Sequence, residues 1–199
     1  MLLTPETLVG RAVRLVPLDS SHDAQLKAAC DADQDIWTLY PIRMNGDAYE
    51  GWRKSVDARV NAGAALAYAI ILEGRVVGVS LFSLDAPNLR VEIGNTYLHP
   101  EVRGGIVNPD AKRTMMNHAF EGGANCLQYR VDALNMRSRS AVLKLGARQD
   151  GILRADRITW TGRVRDTVVF SILAEAWPSV RDALDARLAA FNIAQPRQN

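Results

Sequence analysis

Two cysteines, Cys30 and Cys126, are too few for a disulfide framework, and they form no CxxC pair. No apolar run approaches the ~18 residues of a membrane-spanning helix, and nothing near Met1 reads as a secretory signal. A reducing, cytoplasmic location with no membrane partner is the expectation. Histidine is equally scarce: His22, His99 and His118 stand apart from one another, show no HExxH spacing and sit in no carboxylate cluster, so no metal is expected. His118 falls beside the apolar face of a helix, where a lone histidine is usually structural, and Cys126 has no basic neighbour in sequence to activate it. The net charge is only +2 and the basic residues are scattered, which gives no electrostatic footprint for nucleic acid. Neither GxGxxG nor GxxxxGK[ST] occurs, so the two commonest nucleotide-binding readings lack their diagnostic residues. Internal repeats and linkers rich in Pro, Gly or Ser are also missing.

What is present is enough apolar material for a full core. A chain of 199 residues that is 48% hydrophobic fits a single domain, 1–199. Arg11 to Leu18 alternates as a strand, and Asp19-Ser20-Ser21 opens a helix. Residues 31–62 read as mostly helical. Leu66–Leu72 and Arg75–Phe82, separated by Glu73-Gly74, read as a hairpin; both runs are apolar on both faces, as in a sheet covered on each side. Leu127, Tyr129, Val131 and Ala133 alternate with polar residues in another strand, whose expected partner is the strand at Glu92. Two late strands, near Ile158–Thr161 and Thr167–Leu173, precede a helix from about Ser179 to Phe191.

The stretch EIGNTYLHPEVRGGIVNPDAK, Glu92 to Lys112, carries the functional signal. Thr96-Tyr97-Leu98 reads as a strand end, His99-Pro100 as its break, and Arg103-Gly104-Gly105 as a tight turn bearing a cation. Asn108 as N-cap and Pro109 as first helical residue place a helix N-terminus just after the glycines. Its free N–H groups, its dipole and the Arg103 guanidinium would converge on an anion such as pyrophosphate. That helix carries Ala111, Met115, Met116, Ala119 and Phe120 on one face and stops at Gly122-Gly123. Further on, DALNMRSRSAVLKLGA holds Asn135, Ser138 and Gly146, with Asn135 a natural N-cap.

With GRAVRLVPL at Gly10, GILR at Gly151 and RDTVVFSIL at Arg165, these stretches resemble the GCN5-related N-acetyltransferase (GNAT) superfamily, in its RimJ/RimL-like branch. The resemblance covers nearly the whole chain. It implies an α/β fold with a mixed, mainly antiparallel central sheet, splayed strands and helices on both faces. It implies acetyl-CoA, or another short acyl-CoA such as succinyl-CoA, as cosubstrate. The coenzyme would be held by Leu98, Arg103, Gly104, Gly105, Val107, Asn108, Asn135 and Ser138, with a backbone N–H near Leu98 directed at the acetyl carbonyl. Glu92 is the residue implied to deprotonate the amine, and Ser138 the donor to the thiolate; the tyrosine that many members place four residues before Gly146 is Val142 here. Glu92 can equally be a salt-bridged strand residue, and Ser138 a first-turn polar residue.

Two departures bear on the phosphate site. Laying Arg103 on the first position of the Q/R-x-x-G-x-G/A pattern puts Ile106 and Asn108 on its two small-residue positions, so Gly104 and Gly105 would supply the close approach one step earlier. Trp37, Tyr40, Tyr49 and Trp52 surround Pro41 and Arg43 where this superfamily walls its acceptor site; at least two of the four are expected to pack between helices, and Arg43 and Arg53 to attract an acidic acceptor or neighbouring carboxylates. The expected acceptor is a primary amine, foremost a protein or peptide N-terminal α-amine, with a small-molecule amine as the enzymatic alternative. A non-catalytic acyl-CoA-binding or scaffold module is the third reading. Monomer and homodimer both fit.

Overall fold

The structure, a computed structural model, describes residues 1–191. Its strands are β1 (Leu8–Val9), β2 (Arg14–Pro17), β3 (Ala65–Leu72), β4 (Arg75–Asp85), β5 (Arg90–Leu98), β6 (Cys126–Asp132), β7 (Arg148–Ile158) and β8 (Val164–Leu173). The helices are α1 (Asp23–Asp31), α2 (Tyr49–Asn61), α3 (Val107–Glu121), α4 (Met136–Leu143) and α5 (Trp177–Ala189). All eight strands join one sheet in the order β1-β2-β3-β4-β5-β6-β8-β7. Neighbours run antiparallel except β5 and β6, which run parallel. The expected mixed, mainly antiparallel sheet is therefore what forms.

Both faces are covered, as the two-sided apolar strands require. On one face Val91, Ile93, Leu127 and Phe170 pack with Met115, Met116 and Ala119 of α3 and Trp177 and Leu184 of α5. On the other, Val79, Leu81 and Tyr97 pack with Leu26 of α1 and Trp52 and Val56 of α2. Each such large side chain removed from water stabilises the fold by roughly 1.5–3 kcal/mol. The β3–β4 turn has positive φ at both central residues, Glu73 (49°) and Gly74 (78°), the backbone that lets a two-residue loop match strand twist.

Residues 31–62 are mostly helical as expected, but not as one helix: α2 is preceded by two short 3-10 turns, Asp35–Leu39 and Gly46–Ala48, because Pro41, Gly46 and the aromatic cluster interrupt any longer periodic face. Two elements, β7 and α3, begin elsewhere than the sequence predicts. The first late strand is β7, starting at Arg148 rather than near Ile158; residues 159–163 form the turn, where Gly162 takes φ 84°. Helix α3 begins at Val107 with Ile106 as N-cap, so Asn108 and Pro109 lie inside the first turn. Pro109 is tolerated there because the first-turn N–H groups have no carbonyl partner inside the helix.

One buried carboxylate fixes α3 against the N-terminal segment. Asp110, 1% exposed, accepts from the backbone N–H groups of Arg11 (3.0 Å), Ala12 (2.7 Å) and Val13 (3.0 Å). Gly10 is required beside it, since a Cβ there would fall about 2.9 Å from the Asp110 carboxyl carbon. The N-terminal end of α3 is thus held by chain nearly a hundred residues away in sequence.

Candidate active site

Strands β5 and β6 pair only over Arg90–Glu92 against Cys126–Gln128 and then part, and the gap opens a cavity of about 300 Å³. Backbone groups of β5 face it. His99 donates to the Val77 carbonyl (2.8 Å), which makes 77/99 a hydrogen-bonded pair; alternation along an antiparallel ladder then makes 78/98 a non-bonded pair. The N–H and C=O of Leu98 therefore point away from β4, into the gap. Arg103 Nε donates to that carbonyl (2.8 Å), and the N–H is left facing the cavity.

Between Gly94 and Tyr97 the β4–β5 register slips, with Asn95 and Thr96 opposite Ser80 and Asn95 at φ 47°. A bulge of this kind disrupts the ladder locally and re-aims backbone groups. It is held from both faces of the sheet. The Tyr40 hydroxyl donates to the Thr96 carbonyl (2.6 Å), while Lys112 Nζ on α3 donates to Ser80 Oγ (2.8 Å) and Thr96 Oγ1 (2.5 Å). Lys112 is 5% exposed, and burial pushes its ammonium down to about 7.

At the mouth of the gap Gly104 takes φ 80°, a conformation strained for any side chain, and lines the cavity beside Arg103 and Asn108. The N–H groups of Val107 and Asn108 have no acceptor within α3. Arg103 is less free than its sequence position suggests: it pairs with Asp33, lies 5.3 Å over the Tyr97 ring, and keeps only Nη2 buried and unpartnered. On the opposite wall Asn135 caps α4 by accepting from the Ser138 N–H (2.9 Å), and both residues line the cavity.

Deeper in, Glu92 makes no ion pair or hydrogen bond among the described residues. Burial raises its carboxyl above the usual carboxylate range, against the pull of the guanidinium groups of Arg130, Arg157, Arg59 and Arg165. Glu92 and Leu98 stand six strand positions apart, ~20 Å at ~3.3 Å per residue, with the bulge between them.

The cavity thus brings together Glu92, Leu98, Arg103, Gly104, Asn108, Asn135 and Ser138. Gly105 and Val107 do not line it; the Val107 side chain is in the core, so only its backbone is available. Of the four aromatics, Trp37, Tyr49 and Trp52 are buried in the core, and Tyr40 alone lines the cleft. Arg43 and Arg53 pair with neighbouring carboxylates, Arg43 with Asp47 and Arg53 with Asp23 and Asp57. Sequence reasoning missed Lys112, Tyr129 and Arg165, all lining the cavity. Lys112 had a readable signal, since it shares the apolar stripe of Met115, Met116 and Ala119 at i, i+3, i+4, i+7. Tyr129 had none, because its buried, unpartnered hydroxyl looks in sequence like any inward strand position.

A family model described as "Acetyltransferase (GNAT) domain" matches residues 12–148. A GCN5-related N-acetyltransferase from Brucella melitensis shares 28% identity, with a TM-score of 0.83 over 94% of this chain and 87% of the other. RimJ of Mycobacterium smegmatis, in complex with CoA-disulfide, shares 22% identity with a TM-score of 0.80 over 92% of this chain and 95% of its own. RimL, a ribosomal L7/L12 alpha-N-protein acetyltransferase, shares 17% identity with a TM-score of 0.76 over 86% of this chain and 99% of its own. No curated protein matches the sequence. Among the described residues no helix is long and apolar enough to cross a membrane, and no group of three His, Cys, Asp or Glu could hold a metal ion.

Proposed function

The chain belongs to the GNAT family of acetyltransferases and is an N-acetyltransferase that uses acetyl-CoA; on that premise we propose that it acetylates the N-terminal α-amine of a protein or peptide by direct attack in a ternary complex. The observation that carries the reading is an unpaired, desolvated carboxylate, Glu92, in the same cavity as the β5–β6 gap. The fold shared with RimJ and RimL supports the choice of acceptor class.

The residues present fit the coenzyme. Leu98 offers its N–H to the amide-bearing arm, while Gly104, the α3 N-terminus and Arg103 Nη2 offer donors where phosphates would lie. When bound, acetyl-CoA supplies a thioester whose carbonyl carbon is the electrophile. Glu92, ionised, accepts the ammonium proton of the acceptor, directly or through one water. Leu98 is too far along the strand to serve the same carbonyl that an amine beside Glu92 attacks. Backbone donors freed in the bulge at Asn95–Thr96 lie nearer Glu92 and take the oxyanion role, with Lys112 and Tyr40 fixing their position. Ser138 protonates the departing thiolate; the Tyr129 hydroxyl, buried and without a partner among the described residues, is a second hydroxyl lining the cleft.

The thermal midpoint with and without acetyl-CoA, followed by thiol release on adding N-terminal peptides, tests the proposal. At ~100 times its dissociation constant the coenzyme adds about 2.7 kcal/mol to stability. The expected result is a rise in midpoint and peptide-dependent thiol release. A rise without release for any amine leaves a binding module, and the absence of a rise removes the coenzyme site.

A further inference from the structure

Strand registers set a row of cations beside Glu92. Paired residues in neighbouring strands, and residues two apart along one strand, share a face. Glu92 pairs Gln128, Asp132 pairs Thr167, and Arg165 pairs Arg157, so Glu92, Arg130, Arg165 and Arg157 all project from one side of the sheet. Those four residues line one cavity.

The charges there do not balance. Asp156 accepts from both Arg130 (2.9 Å) and Arg157 (3.2 Å), while Asp132 pairs with Arg163 (2.5 Å) and stands 3.9 Å from Arg165 Nε. The guanidinium groups of Arg130, Arg157, Arg163 and Arg165 thus face two carboxylates, with Arg59 also acting on Glu92 and Arg137 lining the same cavity, so the cluster stays positive even with Glu92 ionised. Arg165 is 4% exposed, and among the described residues its guanidinium makes one hydrogen bond, from Nη2 to the Arg130 carbonyl (3.3 Å). Its Nε and the Nε of Arg130 are both buried without a hydrogen-bond partner among the described residues, Asp132 standing beyond bonding distance of the first. A buried guanidinium with an open donor is unfavourable unless an anion completes it.

We infer that Arg165 and Arg130 form an acceptor subsite for a carboxylate carried close to the amine that is acetylated. The inference rests on the acetyltransferase reading above and narrows its substrate class. A planar carboxylate matches the fork of a guanidinium and meets the positive excess of the cluster. Two sources provide that chemistry: the α-carboxylate of a free amino acid, and an acidic side chain at the first position of a peptide.

Matched acceptors separate them. Initial rates of thiol release from acetyl-CoA are measured for free alanine against alaninamide, and for Asp-Ala-amide against Asn-Ala-amide, with the wild-type chain, Arg165→Met and Arg157→Gln. Hydrogen bonds to a charged group correspond to about a 10- to 100-fold preference in kcat/KM for the carboxylate-bearing member of one pair. Preference in the alanine pair identifies an amino-acid acceptor, and preference in the aspartyl pair a peptide with an acidic first residue. Arg165→Met is expected to bring that ratio close to one, and the more exposed Arg157→Gln to lower it in part, with the midpoint rise on adding acetyl-CoA retained in both. If acetyl-CoA raises the midpoint but neither carboxylate-bearing acceptor outruns its neutral partner, or the variants leave the ratio unchanged, the subsite is overturned while the coenzyme reading stands. If acetyl-CoA causes no rise in the wild-type chain, the acetyltransferase reading itself falls and takes the subsite with it.

Discussion

Replacing Lys112 with Met should stabilise the protein at pH 7 and slow it. Burial holds the Lys112 ammonium at about 7 in the folded chain, against 10.5 when exposed. Between those values the unfolded chain binds the extra proton, so raising the pH favours the fold. At ~1.36 kcal/mol per pKa unit, this ionisation disfavours the fold by about 4 kcal/mol at pH 7 and about 2 kcal/mol at pH 9. Methionine has a similar length and no charge, but it gives up the two bonds to Ser80 and Thr96, together about 2 kcal/mol. The variant should therefore be more stable by about 2 kcal/mol at pH 7, roughly 4–8 °C in midpoint, and about equal at pH 9. Urea unfolding of both proteins at pH 7, 8 and 9 measures the gap directly, and groups common to both cancel. The bulge would lose its α3 anchor, so acetyl transfer should fall even as stability rises. A gap that does not change with pH, or a variant less stable than wild type at pH 7, would refute the assignment of a buried, depressed lysine.

Two other substitutions test how the cleft is held. Asp110→Ala leaves three buried backbone N–H groups without their acceptor and should lower stability by about 3–5 kcal/mol, read by chemical denaturation. Asn135→Ala removes the α4 cap, costing about 1 kcal/mol, and should also weaken the midpoint rise with acetyl-CoA because the capped turn carries Ser138 into the cleft.

The sheet and the glycine turn were readable because their signals are local. Glu73-Gly74 demands a tight hairpin, Gly122-Gly123 ends α3, and Asn135 caps α4, each through backbone geometry that few other residues accept. The helical content of residues 31–62 was readable, but its division into two 3-10 turns and α2 was not, because the chain between α1 and α2 is shaped by tertiary packing against β4 and β5. Strand β7 escaped because its residues are mostly exposed and show no alternation. The site divided in the same way. Glu92, Arg103 and Asn135 stand in a recognisable stretch, whereas the roles of Lys112, Tyr129 and Arg165 arise from which strands meet: Lys112 faces the bulge across α3, and Arg165 joins Glu92 only through the β6–β8 pairing.

The central claim, that Glu92 is the base for acetyl transfer in this cleft, is tested most directly by the pH–rate profile of wild type beside Glu92→Gln, with acetyl-CoA saturating and one accepted amine. Burial raises the Glu92 carboxyl above its ordinary value, so wild-type turnover should climb with pH through that raised value. The variant should still gain stability from acetyl-CoA yet turn over about 100-fold more slowly or less, with that limb gone. Equal rates and superimposable profiles would contradict the claim and leave the proton to leave by another route.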